Sequence, residues 1–246
     1  LPLADVVVVS HQDHMEAWRQ AGYPVSRVRE IALGVRPSSQ DSRQKRQVRQ
    51  ALGRAIGDAK VSENAPLAVC FQKLDDLEQL SPLLLAWKEI VKRYPGARLW
   101  VFGSGSQRGA LIQHVEQLDL QHRVWFPGVI ESVDDLLASA DLLIALQNAP
   151  VLLLRAMAAG LPVIASDVPH FRRYVSHEET GFILPPADVV TWVTAIDRVL
   201  GDPSTAQSLA HAGQQRAQAK FALEKRVEDF ARLFEGLICD RDADSP

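Results

Sequence analysis

Past Pro66, short runs of β-branched and aliphatic residues recur along the chain at a steady interval, at 67–71, 98–102, 123–126, 142–146, 162–165 and 181–184. Several are apolar at nearly every position, the mark of a strand buried on both faces. Between them, apolar residues fall at helical spacing over 82–94, 107–118, 133–139, 151–159 and 171–175, and most of these stretches close on Gly or Pro. Strands of this kind alternating with helices predict a parallel sheet covered on both sides and joined by right-handed crossovers. The predicted class is therefore α/β, a doubly wound parallel sheet, followed by terminal helices over 189–200, 203–220 and 223–238. The last of these carries Val227, Phe230, Ala231, Phe234 and Leu237 on one stripe, and the acidic end, 240–246, is expected to fray.

The first third is less regular. Residues 6–9 predict a strand, Ser10 a cap, and Met15, Ala17, Trp18 and Ala21 a helix that Gly22 stops. A second short strand reads over 27–33 before Gly34 turns the chain into a polar stretch, 37–64. Within it Val48, Leu52 and Ile56 repeat at i, i+4 and i+8, which predicts an amphipathic helix over 44–56; the remainder reads as linker. The chain begins at Leu1 with neither an initiating Met nor a signal-peptide pattern, and reads as cut from something longer.

Composition narrows the function. At 246 residues with 47% apolar content the chain can fill a substantial core. Its 27 basic and 30 acidic residues give a net charge of -3 without a long one-sign run, which argues against nucleic acid as the main partner. Two cysteines, Cys70 and Cys239, make neither a disulfide framework nor a metal-ligand cluster, and fit a reducing cytoplasm. The longest apolar runs, 151–154 and 161–165, fall far short of the roughly 20 residues of a membrane-spanning helix; peripheral membrane contact stays open.

Ligands of an open doubly wound sheet bind beyond the carboxyl ends of its strands. Gly103-Ser104-Gly105 follows one predicted strand and opens a helix, so it reads equally as a tight turn or as bare backbone facing a phosphate. The helix 151–159 follows the strand 142–146, with Pro150 before its first turn. Its free amides and positive dipole end would suit an anionic diphosphate. The seven histidines, His11, His14, His114, His122, His170, His177 and His211, are scattered, and none is nominated as a base.

The run from Leu153 to Asp167, L-L-R-A-M-A-A-G-L-P-V-I-A-S-D, resembles L-L-E-A-M-A-x-G-x-P-V-I-A-S-D of the group 1 (family 4) glycosyltransferases of GT-B architecture. Ala4 to Ser10, Ala32-Leu33-Gly34-Val35, Phe102 to Gly105, Arg123 to Gly128, Ser139-Ala140-Asp141 and Thr180 to Pro186 resemble further motifs of that family in the same order. The resemblance implies a Rossmann-like C-terminal domain over 37–246, which holds a nucleotide sugar such as a UDP- or GDP-sugar. Residues 1–36 would be the last strand-helix-strand unit of an N-terminal domain that holds the acceptor. It further implies transfer with retention, no cofactor and no bound metal. The donor would lie on Lys73, Gly103, Gly105, Val129, Gln147, Val151, Leu152 and Arg155.

Several positions depart from the family pattern. Lys73 stands for an Arg, keeping the charge and losing the planar fork; Glu78 stands for a Lys and Gln79 for a Gly. Gln147 and Arg155 replace two glutamates eight residues apart, which in the family bind the transferred sugar and the ribose. The loop between them and the preceding strand is about three residues short, and Pro169-His170 replaces a Gly pair. Two readings follow: an active sugar transferase, or a retired one that acts as a binding or scaffold partner of an active transferase. A nucleotide-sugar epimerase of the same architecture is the weaker third, because the run around Arg155 resembles the transferases.

Overall fold

The structure, a computed structural model, describes residues 5–10, 12–37, 42–58, 61–130, 132–147 and 149–243. The chain divides into two compact units, residues 1–37 with 217–246, and residues 38–216.

The larger unit holds six parallel strands, β3 (Leu67–Phe71), β4 (Arg98–Phe102), β5 (Val124–Gly128), β6 (Leu142–Ala145), β7 (Val163–Ser166) and β8 (Phe182–Leu184), in the spatial order β5-β4-β3-β6-β7-β8. This is the order of nucleotide-binding doubly wound sheets, reversing direction between β3 and β6. Every residue of β4, β6 and β7 is buried, as their mostly apolar sequences predict, Arg98 and Ser166 included. Successive side chains point to opposite faces. On one face Ala68, Cys70, Leu99, Val101, Leu142 and Ile144 join a core with Leu83, Leu84, Trp87 and Ile90 of α3 (Leu77–Arg93) and Trp192 and Ile196 of α8 (Val189–Gly201). The opposite face packs against α5 (Val133–Ser139) and α6 (Pro150–Ala158), through buried Leu136, Leu137, Leu153, Leu154 and Met157. Each such side chain contributes roughly 1.5–3 kcal/mol of burial, and this is what fixes the sheet register.

Three boundaries differ from the sequence reading. Helix α3 begins at Leu77, one turn before Pro82, because Asp76 caps the amide of Glu78 at 2.9 Å and Leu77 and Leu80 extend the apolar face. The second strand, β2 (Val28–Glu30), is shorter than the predicted 27–33, since a 3-10 turn takes Arg27 and the ladder with the first strand ends at Glu30. The last helix, α10 (Leu223–Ala243), runs into the expected frayed end, of which 244–246 lie outside the described residues.

The polar stretch read mostly as linker is partly core. Helix α2 (Ser42–Ala55) delivers Arg49, buried, whose guanidinium donates to the carbonyls of Ser139, Glu63 and Ala65 and to Asp141 Oδ2. Asp58 is also buried, accepting from Trp100 Nε1 at 3.1 Å beside Arg98. Burial pushes the Asp58 carboxyl above its usual range and Arg98 below its own. A charged residue reads as surface in sequence; here its partners are backbone carbonyls, which carry no sequence signature. Cys70 lies wholly inside the core, and burial pushes its thiol up to about 12; the side chain of Cys239 and the residue His11 lie outside the described residues.

The smaller unit pairs β1 (Val7–Val9) with β2 in parallel, beside α1 (Gln12–Gln20) and α10. The predicted stripe of α10 is there, with Val227, Phe230 and Phe234 exposed.

Candidate nucleotide-sugar site

Every predicted site residue follows a strand of the six-stranded sheet, so the topology brings all of them to one edge, the carboxyl edge. Lys73 follows β3, Gly103 and Gly105 follow β4, and Val129 follows β5. Gln147 follows β6, and Val151, Leu152 and Arg155 lie on α6. The reversal between β3 and β6 puts the amino ends of α3 and α6 on either side of the same crevice.

The two helix ends differ chemically. Asp76 caps the amide of Glu78 at the start of α3 and also accepts from Gln79 Nε2 at 2.9 Å. At α6 the cap is Ala149, in a left-handed conformation (φ 85°, ψ 50°), with no side-chain acceptor, and Pro150 takes the first helical position. A left-handed non-glycine costs about 1–2 kcal/mol. Behind it the amides of Leu152 and Leu153 both donate to Ala149 O, at 3.0 and 3.1 Å, and the Val151 amide has no side-chain partner among the described residues. Val151, on the first turn, is exposed, and Leu152 is half-buried.

Lys73 is 72% exposed, and its ammonium lies 2.7 Å from Asp75 Oδ2. That contact holds Lys73 above and Asp75 below their ordinary ranges. Asp75 also accepts from the amide and hydroxyl of Ser106, at 2.8 and 3.2 Å. The loops after β3 and β4 are thus tied together, with Leu74 N donating to Ser104 O at 3.0 Å and Gln107 N to Leu74 O at 2.8 Å. Both glycines serve that seam. A Cβ on Gly103 would stand 1.9 Å from Gln72 O, and one on Gly105 2.2 Å from the Leu74 carbonyl carbon. Of the two readings of Gly103-Ser104-Gly105, this geometry accounts for the tight turn.

Gln72 and Gln79 also meet at this edge. Gln72 Nε2 donates to Gln79 Oε1 at 2.7 Å, in a chain that ends on Asp76, while Gln72 Oε1 is buried without a partner among the described residues. Arg155 donates to Asp134 Oδ1 at 2.5 Å. Sequence reasoning passed over Asp134; the signal available was Ser132 with Asp135 three residues on, a helix start that puts Asp134 in the first turn of α5. Two of the histidines take structural partners: His114 meets Ser81 Oγ at 3.2 Å and His177 Nδ1 accepts from Ile183 N at 3.0 Å. Among the described residues no cluster of His, Cys, Asp or Glu is arranged to hold a metal ion, and no helix is long and apolar enough to cross a membrane.

Residues 55–216, which include all of the sheet and the site, match the family described as glycosyl transferases group 1. The chain belongs to that family. Among curated relatives of this group 1 glycosyltransferase chain, an exopolysaccharide phosphotransferase of Streptomyces coelicolor is 32% identical over 173 residues, 67% of this chain and 18% of the relative. The N-acetyl-alpha-D-glucosaminyl L-malate synthase of Bacillus anthracis is 24% identical, over 73% of this chain and 48% of its own length. An uncharacterized glycosyltransferase of Methanocaldococcus jannaschii is 24% identical over 94% of this chain and 59% of its own. The chain thus spans between a fifth and three-fifths of these relatives. Among solved structures, Anabaena HepE in complex with UDP and glucose superposes with a TM-score of 0.81 at 21% identity, covering 94% of this chain and 63% of that one. The sucrose-phosphate synthase of Thermosynechococcus elongatus gives a TM-score of 0.78 at 25% identity, covering 96% and 59%. The fold of this group 1 glycosyltransferase chain is therefore the Rossmann-like fold of GT-B enzymes.

Proposed function

We propose that this chain holds the donor of a sugar transfer, a nucleotide diphosphate sugar, and that the intact protein passes the sugar to an acceptor with retention of anomeric configuration. The observation that carries the reading is the amino end of α6 at the reversal point of the sheet, where the cap residue offers no side-chain acceptor and, with Leu152 and Leu153 donating to Ala149 O and Pro150 lacking an N–H, the Val151 amide is left without a partner among the described residues. A diphosphate oxygen accepts from that amide, and the dipole favours its charge. Lys73, long and exposed, reaches the same crevice as a point charge once it leaves Asp75. Gln147 hydrogen-bonds sugar hydroxyls through both ends of its amide. The likeness of the fold to a protein crystallised with UDP and glucose supports a uridine nucleotide as the first probe. Residues 1–36 belong, in this reading, to a second domain that presents the acceptor. The parallel pair β1-β2 and the exposed stripe of α10 support this, since two strands and a bare apolar face make no stable domain alone.

Thermal-shift titration with UDP, GDP, ADP and their sugars tests it. A ligand at a hundred times its dissociation constant adds roughly 2.7 kcal/mol. At about 2–4 °C per kcal/mol for a chain of this size, the expected shift is about 5–11 °C, reduced by Lys73→Ala. No shift with any nucleotide sinks the reading.

A second reading, a transferase that has lost turnover and serves as a binding partner of an active one, draws support from the pairing of both cations. Lys73 is held by Asp75 and Arg155 by Asp134, where a working site would present them to phosphate. Sugar transfer by the purified full-length protein excludes it.

A further inference from the structure

We infer that Asp134 is the carboxylate that receives the ribose hydroxyls of the nucleotide and that Arg155 is the residue that positions it; the inference rests on the nucleotide-sugar reading above. A ribose diol presents two O–H donors, and doubly wound nucleotide folds meet them with an acidic side chain at the carboxyl edge. Arg155 carries donors only and cannot do this itself.

The described carboxylates at this edge are mostly committed elsewhere. Asp75 gives one oxygen to Lys73 and the other to Ser106. Asp76 gives one to the amide of Glu78 and the other to Gln79, and Asp167 gives both to Arg172. Asp135 accepts from Ser132 in the helix start of α5. Glu78 is exposed on α3, with no cation among the described residues to fix it.

Asp134 combines fixed placement with a free acceptor. Its Oδ1 is held by Arg155 at 2.5 Å, its side chain is 73% exposed, and its Oδ2 has no partner among the described residues. The pair ties the first turn of α5, which follows exposed Val129, to the turn of α6 behind Val151. An ion pair as exposed as this adds little to stability, so holding the fold together does not account for it. A guanidinium fork does fix the direction of the carboxylate it grips. The acidic group that recognises ribose has thus moved from α6 to the neighbouring helix, and Arg155 aims it.

The test compares ribose with deoxyribose. Dissociation constants of UDP, GDP and ADP and of their 2′-deoxy and 3′-deoxy forms are measured by calorimetry on the full-length protein. The wild type is expected to bind at least one deoxy form about tenfold more weakly than its ribonucleotide, the scale of a hydrogen bond to a charged group. Asp134→Asn, which keeps shape, abolishes most of that preference while still binding the diphosphate, and Arg155→Ala weakens it. Nucleotide binding with no ribose preference in the wild type, or a preference untouched by Asp134→Asn, overturns this inference and leaves the donor reading standing. Failure to bind any nucleotide overturns both.

Discussion

Replacing Gly105 by alanine asks whether that glycine exists for the fold or for a ligand. The added Cβ would stand 2.2 and 2.3 Å from the carbonyl carbon and oxygen of Leu74 and 2.7 Å from the amide nitrogen of Asp75. All three are backbone atoms, so relief requires the loops after β3 and β4 to part by more than an ångström. They are joined by Leu74 N to Ser104 O at 3.0 Å, Gln107 N to Leu74 O at 2.8 Å and Ser106 N to Asp75 Oδ1 at 2.8 Å, and that movement breaks at least one of these bonds. Overpacking costs about 1–3 kcal/mol and a lost hydrogen bond about 1 more, giving a destabilisation of about 2–4 kcal/mol. At about 2–4 °C per kcal/mol the melting temperature should fall by about 4–16 °C without any ligand. Gly109 in α4 (Arg108–Gln117) is the control, because nothing lies within 4 Å of its Cβ position. Gly109→Ala should stabilise by roughly 0.5–1 kcal/mol. Ligand-free scanning calorimetry of both variants decides. A Gly105→Ala protein melting within about 2 °C of wild type would refute the steric argument.

Arg49→Met takes the guanidinium from three carbonyls and from Asp141, which keeps Lys45 at 2.7 Å, and should cost about 3–5 kcal/mol in urea unfolding, with Arg49→Lys recovering only part because one ammonium cannot span the fork. Ala149→Gly removes the left-handed strain before α6 and should raise stability by about 1 kcal/mol; unchanged unfolding would mean that no strain is stored there. Two carboxylates should give opposite slopes in acid. Asp202, held at about 2 by its bonds to Ser204 and Thr205 at the start of α9 (Pro203–Phe221), stabilises above its unfolded value of 3.8, and that contribution disappears as pH falls from 3.8 through about 2. Asp58 is raised by burial, so the native state retains a proton that the unfolded chain releases at 3.8, and stability falls as pH rises from there to its folded value. Asp202→Asn should therefore flatten the acid loss and Asp58→Asn the opposite trend, read from melting temperature against pH.

What was legible in the sequence followed from periodicity. Short apolar runs such as 99–102 and 142–145, bounded by turn residues, identify strands by their length, and the order of elements then yields the parallel sheet. The identity of the edge where a ligand binds came with the topology at no further cost. What escaped was anything decided by a partner distant in sequence. Arg49 and Asp58 read as surface because their bonding is to carbonyls and an indole far along the chain. Pro82 read as a helix start, although Asp76 had already begun that helix. Gly103 and Gly105 were ambiguous because a glycine says only that something comes close; the structure shows backbone. The pairing of Arg155 with Asp134 joins residues 21 apart on two helices, and no local pattern signals it.

The chemistry of the crevice turns on the inequality of its two helix ends. Glu78, where the family resemblance leads one to expect a lysine, would oppose a diphosphate if the end of α3 were the anion site. In the donor reading it is not, because Asp76 caps the amide of Glu78 and the dipole of α3 already stabilises both carboxylates at its start. The acidic residues on the β3 side then belong to the structure of that helix. In the same reading the anion falls to α6, whose cap is an alanine in an unfavourable conformation where serine, aspartate or asparagine would have been more stable. A strained cap without a side-chain acceptor at the reversal point of the sheet, beside a neighbouring end that carries its own carboxylate, is the asymmetry on which that reading stands.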